Sequence, residues 1–301
     1  MDQLGTVITK YRKNYAVEAD DRTLILCTAR HKTAIAICGD RVHWQPSGGG
    51  GIITAILPRR SELARPDERG TLRSIAANLD QLIIVNTLRQ DCDPATPAFN
   101  VNLIDRYLVA AELIGITPLI VVNKVDLVPE ALRSRLSASL IEYSTVGYPV
   151  ITTSTRLPDG LAALQQRLDG HLSALVGESG VGKSSLIRHL LPTLDIRIGD
   201  LSEISGLGRH TTSATTLYHL PGGGDLIDSP GVRDFGLWHV APDELIRGFR
   251  EFLPLFGECR FRNCRHLGEK GCALEVAAAH GTISQRRLDS YRDILRSLGQ
   301  R

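Results

Sequence analysis

The sequence predicts a multidomain molecule. It has a small N-terminal β-barrel of the OB type, an α/β domain on a mostly parallel sheet, and a helical C-terminal module around a cysteine–histidine cluster. Three observations lead there. Short β-branched segments fill the first 65 residues, strands and helices alternate from residue 80 onward, and three cysteines and a histidine gather between two helical stretches near the C-terminus.

The barrel rests on LGTVITK, YAVEA, RTLILCTA, TAIAICGDRVHWQ and GIITAILP, five segments rich in strand-forming residues with turn residues between them. Five short strands in so few residues suit a closed barrel such as the OB-fold, with an SH3-like barrel as the alternative. Four glycines, residues 48–51, mark a flexible loop before the last strand, and the polar stretch 61–73 reads as a linker.

In the α/β region QLIIV (81–85), PLIVV (118–122), residues 149–152, LSALV (172–176), 215–220 and 225–228 read as strands. Helical spacing covers residues 101–114, with Asn100 or Asn102 as cap and Gly115 as stop, then 129–143, 160–168 and a stretch opening near Gly182. Alternation of this kind argues for a parallel sheet with helices on both faces. Beyond residue 240, PDELIRGFREFLPLF and SQRRLDSYRDILRSL are expected to be helices. The domain bounds that follow are 1–65, 66–238 and 239–301.

Composition narrows the class. With 43% hydrophobic and 23% charged residues the 301-residue chain is of ordinary globular type. No apolar run reaches the roughly 18 residues a membrane span needs, and the N-terminus lacks a signal peptide's apolar core. The expectation is a cytoplasmic protein without a membrane partner. Six cysteines in such a chain are thiols or metal ligands rather than disulfides. Cys27, Cys38 and Cys92, each alone among apolar residues, read as buried small hydrophobes. Net charge is +4 over residues 1–65, −5 over 66–242 and +3 over 243–301. The two basic ends suit contact with nucleic acid or a solvated surface.

The chemistry lies in three motifs. Residues 177–184 read GESGVGKS, between the strand LSALV and a helix, the setting a phosphate-binding loop requires. Glycine lets backbone N–H groups wrap a phosphate, and the positive helix end completes the cradle. The nucleotide-binding set is Gly177, Glu178, Ser179, Gly180, Val181, Gly182, Lys183, Ser184 and Ser185. Lys183 is expected at the β- and γ-phosphates, where it assists catalysis, and Ser184 on Mg²⁺.

Residues 123–126 read NKVD at the end of a strand: Asn123, Lys124, Val125, Asp126. The Asp126 carboxylate can accept hydrogen bonds from guanine N1–H and the 2-amino group, and adenine would leave it unpaired. The base is therefore expected to be guanine, against the rival reading of an ATPase or a metabolic kinase. Residues 228–231, DSPG, place Asp228 toward Mg²⁺ and the Gly231 N–H toward the γ-phosphate. Thr212, or its neighbour Thr211, is the expected switch threonine on Mg²⁺, and the Thr153, Ser154, Thr155 run is placed behind the base.

The order is unusual, because NKVD precedes the phosphate loop. Strand-end loops all meet at the carboxyl edge of a parallel sheet, so a circularly permuted P-loop GTPase domain is the economical reading. Val232 follows DSPG where a water-orienting glutamine often stands. Hydrolysis is then slow without help, and His210 is the expected catalytic residue, with Arg209 as the alternative.

Cys259, Cys264, His266 and Cys272 form C-x4-C-x-H-x5-C, three thiolates and an imidazole suited to one structural Zn²⁺. Arg260, Arg262, Arg265 and Lys270 surround them and suit RNA phosphates.

With GxSGVGKS, GRHTT, DSPG, VVNKVDL, AANLDQLIIV and IDRYLVAAE in one chain, the sequence resembles the ribosome small-subunit-dependent GTPase family (RsgA) along essentially its whole length. It departs in the Gly48–Gly51 run and in Ser229, where threonine is common. The resemblance implies an OB-fold, a structural zinc, and late assembly of the small ribosomal subunit with GTP hydrolysis to GDP stimulated by that subunit. The expected partners are the small subunit, its rRNA and GTP or GDP, with the chain a monomer. The alternative is a nucleotide-gated RNA-binding factor acting on another ribosomal RNA or on the large subunit. Because the switch after DSPG runs straight into the zinc module, loss of the γ-phosphate is expected to move that module.

Overall fold

The computed structural model describes residues 2–11, 14–30, 35–66, 71–88, 99–192, 215–228 and 240–298. Strands β1 (Gln3–Tyr11), β2 (Asn14–Ala19), β3 (Leu24–Ala29), β4 (Arg41–Ser47) and β5 (Gly50–Ile56) form the N-terminal sheet. It closes on itself in the order β1-β2-β3-β5-β4-β1. All pairings are antiparallel except β3 with β5. Such Greek-key closure is that of an OB-type barrel. Val7, Val17, Cys27, Val42, Trp44 and Ile53 fill its interior.

Two expectations fail here. Only Gly48 and Gly49 form a turn, and Gly50 and Gly51 lie within β5. A Cβ on Gly51 would sit 2.6 Å from Cys27 Sγ and 2.9 Å from Trp44. Glycine serves there because a barrel holding a tryptophan has no room for another side chain. The described parts of the expected linker are likewise structured: β6 (Glu62–Pro66) pairs antiparallel with β7 (Leu72–Ala77). This pair clasps the barrel: the Ala77 N–H donates to Cys38 O, and Arg59, just ahead of β6, bridges Glu62 to the buried Asp40 carboxylate at 2.8 Å each. Asp40 also accepts the Ile37 N–H, in the turn that leads into β4.

The second sheet is built from β8 (Gln81–Thr87), β9 (Thr117–Asn123), β10 (Val150–Thr152), β11 (Leu172–Val176), β12 (Thr216–His219) and β13 (Asp225–Asp228). Its order is β10-β9-β8-β11-β13-β12, parallel except for β12. Helices α1 (Val101–Ile114), α2 (Glu130–Thr145), α3 (Ala162–Leu168) and α4 (Lys183–Leu190) cover it. Helix α1 is capped as expected: Asn100 accepts the Leu103 N–H, and Gly115 ends the helix in the left-handed region. Edge strand β12 pairs with β1 through Thr216 and Thr9, so the barrel continues the sheet.

The C-terminal module holds α5 (Ala273–Ala279) and α6 (Gln285–Leu298). The first expected helix there is instead two short 3-10 turns, Leu245–Gly248 and Arg250–Leu255. Gly248 lies against α1 so closely that a Cβ would be 2.4 Å from Val109 Cγ1, and Pro254 lacks an N–H to extend a helix. Cys27 and Cys38 are buried, as expected, while Cys92 lies outside the described residues.

His219 stands at the seam between barrel and sheet. Its Nδ1 is 2.5 Å from Asp225 and its Nε2 2.9 Å from Glu18 of the barrel, with Arg22 beside the ring. The Asp225 bond and then the Glu18 carboxylate raise its pKa against the effect of burial. A raised folded-state value stabilises the fold at low pH. The contribution is complete below the ordinary histidine value of about 6.5 and is lost as pH rises through the raised value. Thermal melting is expected to decline over that window in the wild-type chain, and His219→Ala is expected to flatten that part of the profile.

Candidate nucleotide and metal sites

The phosphate loop leaves central strand β11 and enters α4. Its shape depends on glycines. Gly177 has φ +140° with Val85 O only 2.1 Å from where a Cβ would be, and Gly182 has φ +100° with Asn123 Nδ2 at 2.4 Å. Gly182 caps α4 with no side-chain acceptor, leaving the first-turn N–H groups for an anion. Lys183 is buried, with Nζ 2.6 Å from the carbonyls of both Gly177 and Glu178. A polyphosphate in the loop would offer that ammonium stronger, charge-assisted partners. Ser184 and Ser185 are exposed on the first turn of α4, as are Ser179 and Gly180 on the loop.

NKVD follows β9, two strands from the loop, and the two motifs are bonded together. Asn123 Nδ2 donates to Val181 O at 2.9 Å, and Lys124 Nζ donates to Gly180 O at 2.6 Å. Lys124 adopts φ +60°, which swings the chain into the short 3-10 turn Val125–Leu127. The Asp126 carboxylate is held by Ser154 Oγ at 2.6 Å and faces Arg156 Nη1 at 3.8 Å. Thr153 Oγ1 donates to Asn123 Oδ1 at 3.1 Å. The Thr153–Thr155 run thus lies against NKVD. Asp228 ends β13, next to β11. Its carboxyl edge is the same one from which the loop departs, since both strands are parallel. Thr211, Thr212, His210, Arg209, Gly231 and Val232 lie outside the described residues.

Some contacts were not legible in the chain. Thr87 donates to Asn123 O, Arg156 faces Asp126, and Asn100 donates to Glu178 Oε1 of the phosphate loop. None has a local signal beyond its place at a strand or helix end.

The C-terminal cluster is compact. The ligand atoms of Cys259, Cys264, His266 and Cys272 all lie within 4.8 Å of one another. His266 Nδ1 is 3.5, 3.7 and 3.3 Å from the three sulfurs in that order. A zinc tetrahedron with Zn–S of about 2.3 Å and Zn–N of about 2.0 Å has N···S edges of about 3.5 Å. The four groups fit that ion. Burial pushes the Cys264 thiol up to about 12 and lowers the His266 pKa, so the imidazole is neutral and ready to ligate. A bound cation would reverse the thiol shift by favouring thiolate. His266 is braced from behind: Arg292 Nε of α6 donates to its carbonyl at 2.9 Å, and Tyr291 meets its ring edge-on. Arg260, Arg262, Arg265 and Lys270 are exposed around the cluster.

A phosphate loop and a guanine-type NKxD loop meet on one parallel sheet in which the motifs' order along the chain is rotated. That assembly is a circularly permuted P-loop GTPase. The chain belongs to the RsgA GTPase family, whose model matches residues 56–238. It is 48% identical to the "Small ribosomal subunit biogenesis GTPase RsgA" of Pseudomonas syringae pv. tomato, over 99% of this chain and 87% of that one. A relative of the same name from Azotobacter vinelandii is 49% identical over 99% and 86%. Among solved structures, YjeQ from Thermotoga maritima superposes with TM-score 0.77 at 29% identity, covering all of both chains. YloQ, described as a circularly permuted GTPase, gives 0.78 at 28%, covering 100% of this chain and 96% of its own.

Two outcomes are expected. Asp126→Ala should weaken GTP binding by about a hundredfold or more in a nucleotide competition assay while leaving ATP binding as it is. Metal analysis of purified protein should find about one zinc per chain, lost in Cys272→Ser.

Proposed function

We propose that this GTPase binds the small ribosomal subunit and its rRNA, assists late maturation of that subunit, and has its turnover raised by it. The reading is carried by one observation. Asn123 and Lys124 lock a guanine-type loop to the phosphate loop, in a chain that matches small-subunit biogenesis GTPases over nearly its whole length. The remaining roles are proposed from the motifs and their chemistry. Asp126 reads guanine N1–H and the 2-amino group. Lys183 and the N–H groups of the loop hold the β- and γ-phosphates, and the Gly231 N–H senses the γ-phosphate.

Ser184, Asp228 and Thr212 are the residues that would hold Mg²⁺, which when bound neutralises charge on the β- and γ-phosphate oxygens. Val232 has no group to orient water, so intrinsic turnover is slow. His210 supplies that function when the small subunit is bound. The zinc centre is structural and presents Arg260, Arg262, Arg265 and Lys270 to RNA phosphates. The protein acts in the cytoplasm as a monomer. None of the described helices is long and apolar enough to cross a membrane.

The test is GTP turnover titrated with purified small and large subunits in parallel. Small subunits should raise turnover at least about tenfold, a barrier change of about 1.4 kcal/mol, and large subunits should not. His210→Ala should abolish the increase while leaving nucleotide affinity unchanged. Equal stimulation by both subunits would overturn the reading.

A further inference from the structure

Helix α1 is bonded at one end to the phosphate loop and along its length to the C-terminal module. Its Asp105 carboxylate is fully buried and receives Arg286 and Arg287 of α6, each at 2.7 Å, together with the Tyr143 hydroxyl at 2.9 Å. Arg287 is itself fully buried. It also pairs with Glu251 at 2.6 Å, and its guanidinium lies 4.5 Å over the Phe249 ring. Arg106 donates to Ser297 at 2.9 Å, Arg250 pairs with Glu112 at 2.6 Å, and Gly248 abuts Val109. Removing one partner of a buried ion pair strands the other charge, so Asp105 and Arg287 resist being separated. The module and α1 are therefore set to move as one body. At the other end, the Asn100 side chain does two things. Its oxygen caps α1, and its amide donates to Glu178 of the phosphate loop.

We propose that α1 links the C-terminal module to the phosphate loop, with Asn100 as the positioning residue that transmits docking of the module to the nucleotide. The stimulation part rests on the functional reading above. Displacement of α6 on docking would carry Asp105, hence α1, hence the Asn100 amide, and so the second residue of the loop. Linkage requires the reverse as well: nucleotide that orders the loop must stabilise the module. The route is separate from the one through DSPG, because it enters the module by α6.

The chemistry at Asn100 permits a clean test with the full-length, zinc-loaded chain. Asn100→Asp keeps a side chain that caps helices equally well, yet sets a carboxylate against that of Glu178. Glu178→Gln on the Asn100→Asp background restores a hydrogen bond of reversed polarity, with the introduced amide donating to the introduced carboxylate. Two readouts are compared in wild type, each single variant and the double variant. The first needs no ribosome: hydrogen exchange of residues 285–298 with and without a non-hydrolysable GTP analogue. The second is turnover with saturating small subunits.

The analogue should slow exchange in wild type, in Glu178→Gln and in the double variant, but not in Asn100→Asp. Stimulated turnover should fall at least about tenfold in Asn100→Asp, within the usual range of coupling energies, and recover in the double variant. Stimulation is expressed relative to each variant's own basal turnover. Nucleotide-dependent protection in Asn100→Asp equal to wild type, or a double variant no better than Asn100→Asp, would overturn the proposal. If wild type itself shows no stimulation by small subunits, the functional reading fails, and the exchange comparison alone decides the linkage.

Discussion

The side chain of Asn123 joins two motifs that the chain separates by more than fifty residues and writes in reversed order. Its amide nitrogen donates to the Val181 carbonyl in the phosphate loop, its amide oxygen accepts from Thr153, and its backbone carbonyl accepts from Thr87. The residue is buried, so each of these groups would be costly to leave unpaired. Gly182 is glycine for the same reason, since the Asn123 amide occupies the space a Cβ would take. With this anchor in place, Lys124 reaches Gly180, and Asp126 is left facing Ser154 and Arg156. One amide thus sets the distance between the base-reading and phosphate-binding parts of the site.

The permutation is possible because the sheet has no preference for the order in which its strands are made. Strand β11 lies at the centre, between β8 and β13, although it is the fourth strand of the domain in sequence. What changes is where the chain's ends emerge, and so which elements can be attached. The barrel joins through β1 against edge strand β12, which would otherwise present unpaired backbone groups. The C-terminal module folds back onto α1 and buries Arg287 against Asp105. Both additions are built into the GTPase core rather than tethered to it.

Legibility followed the range of the interactions involved. The parallel strands, the caps of α1 and the phosphate loop follow from local pattern, because hydrophobic period, capping oxygen and glycine spacing act over a few residues. Residues 61–73 misread as a linker because Glu62–Pro66 and Leu72–Ala77 are short and lack a clean apolar alternation, and gain their order by pairing with each other and by burying Leu63, Ala76 and Ala77. Gly50 and Gly51 misread as loop because their reason lies across the barrel, in Cys27 and Trp44. The amphipathic stretch after residue 240 broke into 3-10 turns because Gly248 must touch α1.

By itself the sequence determined which chemistry this protein carries. Side-chain identity at fixed short spacing sets what GESGVGKS, NKVD and the Cys-Cys-His-Cys run can bind, since each motif acts through groups a few residues apart. The tertiary structure alone decided how those chemistries are joined. Asn123 to Val181, Asn100 to Glu178, Asp105 to Arg287 and Arg292 to His266 are contacts between residues far apart in the chain. No local pattern encodes them, because such pairs form only when sheet order and helix packing have brought distant segments within hydrogen-bond reach.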